Sequence, residues 1–195
     1  MSWPEPLRSW INPAPDSGSE LVCWARGRTW WLRLPLLLAS AWLLLAWCGD
    51  VARATWFDGI DLGIHEAGHL LTSAFPALVC AAAGSLAQCL APLAAVAVFL
   101  RQRDFAAIGF CLTWLAANLF SVAVYAADAT EMALPLVTVG GGEATHDWNF
   151  ILDSLGRLGH EDLIAGLLRL LAFVSAIAGV LWTAWVLRVM ARVNA

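Results

Sequence analysis

Charge is what this chain has least of. Asp, Glu, Lys and Arg make up only 13% of its 195 residues, 61% are hydrophobic, and the mean hydropathy is +0.71. Soluble domains carry about a quarter charged residues, so an ordinary soluble enzyme is excluded and a chain that lies in lipid is expected. The net charge of −4 leaves no basic footprint, which excludes nucleic acid as a partner. Cysteine is sparse and ill-spaced: the five residues Cys23, Cys48, Cys80, Cys89 and Cys111 are odd in number and form no CxxC pair. Three of them sit in apolar runs, where a free thiol behaves as a small hydrophobe. Neither a disulfide framework nor a thiolate zinc site is expected.

What the chain has instead is apolar length. Residues 1–29 are polar and dotted with Pro4, Pro6, Pro13 and Pro15, and read as an irregular cytoplasmic tail. A single membrane-embedded domain is expected over residues 30–190, with apolar segments at about 30–49, 60–80, 81–100, 105–127 and 163–187 and a loop over 128–162. The first segment follows Arg26, Arg28 and Arg33 and lacks a small-x-small cleavage site, so it reads as a retained helix. Trp30, Trp31, Trp47 and Trp56 fall near segment ends, where amphipathic rings suit the headgroup region. The fold class expected is all-α, a polytopic membrane helical bundle of four to five apolar segments.

The arginines choose between those numbers. With four net crossings, the N-terminus, Arg101, Arg103, Arg188 and Arg192 share the cytoplasmic side, as the positive-inside rule asks. The His65 end, Asp128 and the 128–162 loop then share the other side and can meet. Five full crossings would leave two arginine-bearing segments outside. The four-crossing form requires one re-entrant segment, tolerable where its backbone is buried in protein or lines a wet cavity.

Within that apolar chain stands His65-Glu66-Ala67-Gly68-His69. Between Leu62 and Leu100 the only formally charged side chain is Glu66, and the only histidines are its two neighbours in the motif. On a helix, residues four apart lie about 40° apart around the axis, so both imidazoles face one way. Two imidazoles so placed can grip one Zn²⁺, and the glutamate between them can take a proton from water held at the metal. Ionisable groups at membrane depth are costly and mark function. The bland alternative is a polar cluster that hydrogen-bonds to a neighbouring helix.

A hydrolytic zinc site takes three protein ligands and keeps one position for water. Two residues compete for the third place. His146 follows Gly140-Gly141-Gly142, a turn able to fold back over the helix ends, and is favoured over Asp128, which sits just past an uncharged helix. Asp147 is given a supporting part, as an acceptor behind a ligand or as an N-cap for a short amphipathic stretch bearing Ile151, Leu155 and Leu158. His160, followed by two acids, reads as a solvated helix start.

HEAGH in a membrane helix, followed by a glycine-containing apolar stretch and a later helix ending in an acid, resembles the site-2-protease-type intramembrane metalloproteases. The resemblance implies His65 and His69 as zinc ligands, Glu66 as general base and Asp128 as third ligand, with Asn118 echoing an asparagine of the family's later helix. The family's Asn-Pro…Leu-Asp-Gly pattern is absent, and Asp128 is followed by alanine. The chain also looks like bacterial membrane proteins that pair HExxH with a downstream HDW. HEAGH occurs in AAA-type membrane proteases too, but no GxxxxGK[ST] nucleotide loop is present here. The expectation is a zinc peptidase in the bacterial inner membrane, acting on a membrane peptide or protein. Its rival is a non-catalytic metal-binding or structural subunit of a larger membrane complex.

Overall fold

The computed structural model describes residues 18–135 and 145–195. The proline-dotted residues 1–17, the glycine turn Gly140-Gly141-Gly142 and Glu143 lie outside the described residues. All regular structure among the described residues is helical: α1 (Glu20–Ala25), a 3₁₀ turn (Trp30–Arg33), α2 (Leu34–Gly49), α3 (Asp58–Thr72), α4 (Ala77–Gln102), α5 (Phe105–Ala127), α6 (Asp147–Ser154) and α7 (Glu161–Val193). Among the described residues four stretches are long and apolar enough to cross a membrane: Trp30–Gly49, Ala77–Gln102, Phe105–Ala127 and Glu161–Val193.

The HExxH helix α3 is not among them. Its 15 residues span about 22 Å at 1.5 Å each, short of the roughly 30 Å hydrocarbon thickness. The break between the second and third apolar segments falls at residues 73–76, earlier than the sequence division at residue 80. Pro76 lacks an N–H and disfavours helical backbone in the residue before it, so α3 stops there and α4 starts afresh. The small run Ala81-Ala82-Ala83-Gly84-Ser85 therefore does not open a segment, as the division at residue 80 had it. It lies inside α4, and α3 packs against it.

α5 and α7 form the centre of the bundle, with α2 packed on α7, α4 on α5, and both α3 and α6 on α4. In lipid there is little hydrophobic drive between helices, so close packing and polar bridges hold them. Ser175 Oγ donates to the Leu112 carbonyl at 2.8 Å, and Trp182 Nε1 donates to the Phe105 carbonyl at 2.8 Å, both joining α7 to α5. Leu43 and Trp47 of α2 meet Phe57, Ala117 and Phe120 in a buried apolar cluster beside the site.

Residues 20–25, read from sequence as part of an irregular tail, form α1. Its Leu21, Val22 and Ala25 are buried against Val186, Leu187 and Met190 of α7. Glu20 reaches Arg103 at 3.1 Å, and Asn194 Nδ2 donates to the Ala25 carbonyl at 2.9 Å. The N-terminal helix, the α4–α5 turn and the C-terminus thus share one end. The segments after α2 and after α5 share the other, which is where the site forms.

Candidate metal centre

α3 turns Asp61, His65 and Gly68 inward, at the four- and seven-residue spacing of one helix face. A Cβ on Gly68 would stand 2.5 Å from the Ala83 carbonyl oxygen, so α3 reaches α4 this closely only because the fourth motif residue has no side chain. Trp114 Nε1 donates to Asp61 Oδ1 at 2.7 Å and ties α3 to α5. The facing side of α4 presents Ala81, Gly84, Ser85 and Gln88, all buried, at matching spacing.

This crossing fixes both imidazoles. His69 Nδ1 lies 2.8 Å from the Cys80 carbonyl oxygen, which can only accept, so that nitrogen carries the proton. His65 Nδ1 likewise donates to Gln88 Oε1 at 2.7 Å. In the neutral rings both Nε2 atoms are then bare lone pairs, and both point at Asp147 Oδ2, each 3.1 Å away. The three atoms lie within 4.8 Å of one another.

Three lone-pair atoms turned on one point repel unless positive charge sits among them. The spacing suits a divalent ion: with bonds of about 2.0–2.1 Å, tetrahedral ligand atoms stand roughly 3.3 Å apart. Gly84 supplies a second sign of fit. A Cβ there would stand 2.5 Å from both Nε2 atoms, so the backbone of α4 floors the cradle where a side chain would intrude. His65, His69 and Asp147 could hold a metal ion.

The folded chain thus brings Asp147 to the imidazole pair, and leaves both His146 and Asp128, the residues favoured from sequence, outside the group. The reason is local. His146 is the N-cap of α6, and its Nδ1 accepts the Asn149 N–H at 3.1 Å. That turns its Nε2 toward Asp128 Oδ2, 3.2 Å away. Asp128 also accepts the Ala133 and Leu134 N–H groups at 2.9 and 3.0 Å. Desolvation works to raise the Asp128 pKa, but the Leu134 and Ala133 N–H groups and His146 outweigh it and hold the carboxyl below its ordinary value. The pair pins the start of α6 to the end of α5, and Trp148 Nε1 to Ser85 Oγ (3.1 Å) pins it to α4. Asp147, one residue past the cap, projects between them.

Asn118 is buried near Asp61 and donates to the Trp114 carbonyl at 3.1 Å, outside the three-residue group. His160 is exposed at the N-cap of α7. On α6 the buried apolar pair is Ile151 and Leu152, while Leu155 and Leu158 are exposed. Gln88, Gly84 and the Cys80 carbonyl are contributors that the sequence did not bring forward. The available signal was that Gln88 is the one amide in the apolar run of α4.

A cavity of about 1160 Å³ opens onto the group, lined by Glu66, His65, His69 and Asp147 on one side and by Trp47 and Phe120 among its apolar residues. Glu66 is half-buried there. Comparison with family models, curated proteins and solved structures finds no match to this chain.

Proposed function

We propose that this protein is a zinc-dependent, membrane-embedded peptidase that hydrolyses a transmembrane or juxtamembrane peptide bond. The observation that carries the proposal is the convergence of His65 Nε2, His69 Nε2 and Asp147 Oδ2 beside a cavity that Glu66 also lines. Three protein ligands leave one tetrahedral position open, the pattern of catalytic sites, whereas structural zinc is closed by four. A divalent ion held there would supply a Lewis acid that makes water easier to deprotonate and polarises a carbonyl.

The chain's own residues do the rest. Glu66 lines the cavity that both imidazoles face, suited to accept the proton of the attacking water and pass it to the departing amine nitrogen. Gln88 and the Cys80 carbonyl keep the Nδ1 protons of His65 and His69 on the far side of each ring. The apolar wall limits bulk water. A carbonyl inside a hydrogen-bonded helix is hidden, so the bond cut belongs to a locally unwound segment.

His65, Glu66 and His69 on a helix too short to cross support kinship in mechanism with the site-2-protease type, with Asp147 in the place that resemblance gives to Asp128. Arg101, Arg103, Arg188 and Arg192 gather at the end opposite the cavity, which supports a cytoplasmic N-terminus in a bacterial inner membrane. A non-catalytic subunit of a larger complex is the second reading. It draws on the uncovered apolar face of α3 and its following turn, where Leu70, Leu71 and Phe75 are 75%, 80% and 59% exposed.

The test is elemental analysis of the purified protein together with Glu66→Gln. That variant is expected to keep the full metal content and to cut a membrane-peptide reporter about 10²- to 10⁴-fold more slowly. Equal cleavage with glutamine at this position removes the peptidase reading, and a metal-free native protein removes the metal reading.

A further inference from the structure

We infer that Tyr125 is a further catalytic residue of this site, its hydroxyl donating a hydrogen bond to the peptide carbonyl oxygen as that oxygen turns anionic. The inference rests on the peptidase reading above and assigns a group that reading leaves idle. Tyr125 is the single tyrosine in a chain with twelve tryptophans and eight phenylalanines. A position needing only an apolar ring would be served by phenylalanine. Here the ring lies 6.1 Å from that of His65 and 4.4 Å from that of His146, and the side chain lines the cavity.

The hydroxyl's hydrogen bonds define what it can do. Its oxygen accepts the Asp147 N–H at 2.9 Å, so that interaction leaves its own proton unused. The acceptor offered to that proton among the described residues is Asp147 Oδ2 at 3.4 Å, well beyond the usual 2.7–2.8 Å for O–H···O. The same Oδ2 faces both imidazole Nε2 atoms at 3.1 Å. Tyr125 therefore holds a weakly committed donor at the edge of the cradle, in the wall of the cavity.

In the reaction the water oxygen bonds to the carbonyl carbon and the carbonyl π pair moves onto its oxygen, which Tyr125 O–H stabilises. The C–N bond then breaks, the nitrogen takes the proton carried by Glu66, and a carboxylic acid and an amine result. Tyr125 keeps its own proton throughout. A donor aimed at developing negative charge favours the transition state over bound substrate.

The experiment uses Co²⁺-loaded protein in detergent and follows its visible absorption. Two probes are titrated into wild type and Tyr125→Phe: a dipeptide phosphinate, whose anionic oxygens copy the tetrahedral state, and imidazole, which has no oxygen. Tyr125→Phe is expected to weaken phosphinate binding about 10- to 100-fold, with Co²⁺ and imidazole affinities unchanged. Because the chain has one tyrosine, growth on 3-fluorotyrosine labels this position alone, provided any purification tag is free of tyrosine. Its ¹⁹F signal should move with phosphinate and stay put with imidazole. Equal phosphinate affinity in the two proteins overturns the inference and leaves the peptidase reading standing. Lost Co²⁺ affinity with unchanged phosphinate binding at saturation makes Tyr125 a mere prop for Asp147, which also overturns it. A wild-type protein that takes up no Co²⁺ defeats both readings.

Discussion

Adding one methyl group at Gly84 should damage the candidate metal centre while leaving the helix that bears it intact. The new Cβ would stand 2.5 Å from His65 Nε2, 2.5 Å from His69 Nε2 and 2.7 Å from His65 Cδ2. Restoring ordinary contact moves each ring back by roughly 0.9 Å. That retreat draws the two lone pairs away from Asp147 and strains the bonds to Gln88 and the Cys80 carbonyl. Overpacking of this kind costs about 1–3 kcal/mol. If it falls on the ligands, the ion binds about 5- to 150-fold more weakly. Without an ion the rings can yield toward the cavity only by stretching those same two bonds, a cost partly offset by the gain of up to about 1 kcal/mol in helix propensity of alanine over glycine. The metal-free melting temperature should therefore shift little, while the rise on adding zinc shrinks. Gly63→Ala on α3 is the control, since a Cβ there meets nothing within 4 Å. Competition against a chromophoric chelator gives the affinities, and thermal unfolding with and without zinc gives the linkage. Wild-type zinc affinity in Gly84→Ala would refute the geometry argued here.

Asp147→Ala should reduce metal affinity more than 100-fold, while His146→Ala, which removes an N-cap and the Asp128 pair, should reduce it less than about 30-fold. Calorimetric titration showing the reverse order would return the third ligand to His146. Gln88→Leu frees the His65 ring to turn and should lower affinity about 10- to 100-fold, read by the same titration. Asp128 has a folded pKa below its unfolded one, so its contribution is present above the ordinary aspartate range and is lost as pH falls through that range toward the lower folded value. Unfolding midpoints measured across that window should drop more steeply for wild type than for Asp128→Asn, and parallel curves would contradict the pairing.

Local regularities carried much of this protein into view. Composition and apolar length were enough for an all-helical bundle of four to five apolar segments, because lipid accepts few other ways of satisfying a backbone, and among the described residues four are long enough to cross. The facing of His65 and His69 was equally legible, since a four-residue spacing on a helix leaves little freedom. Residues 20–25 were misread because α1 is short and its burial depends on the far end of α7, information no local window contains. The part played by the small run in α4 was hidden for a similar reason. Its purpose is visible only once Gly68 lies against Ala83.

The third member of the candidate group shows where sequence stops. His146, Asp147 and Asp128 are all chemically fit to bind a metal, and the sequence ranking, which put His146 ahead of Asp128 and gave Asp147 a supporting part, had no tertiary geometry behind it. Capping decided the matter: the His146 ring turns back on the Asn149 N–H, Asp128 is occupied by His146 and two backbone N–H groups, and the next carboxylate is left to reach the imidazoles. The chain by itself specified two nitrogens on one face of a short helix in an apolar setting. Only the tertiary structure chose the oxygen that completes the group, because that choice depends on the angle at which α6 meets α4 and α5, which is set by packing across distant parts of the chain.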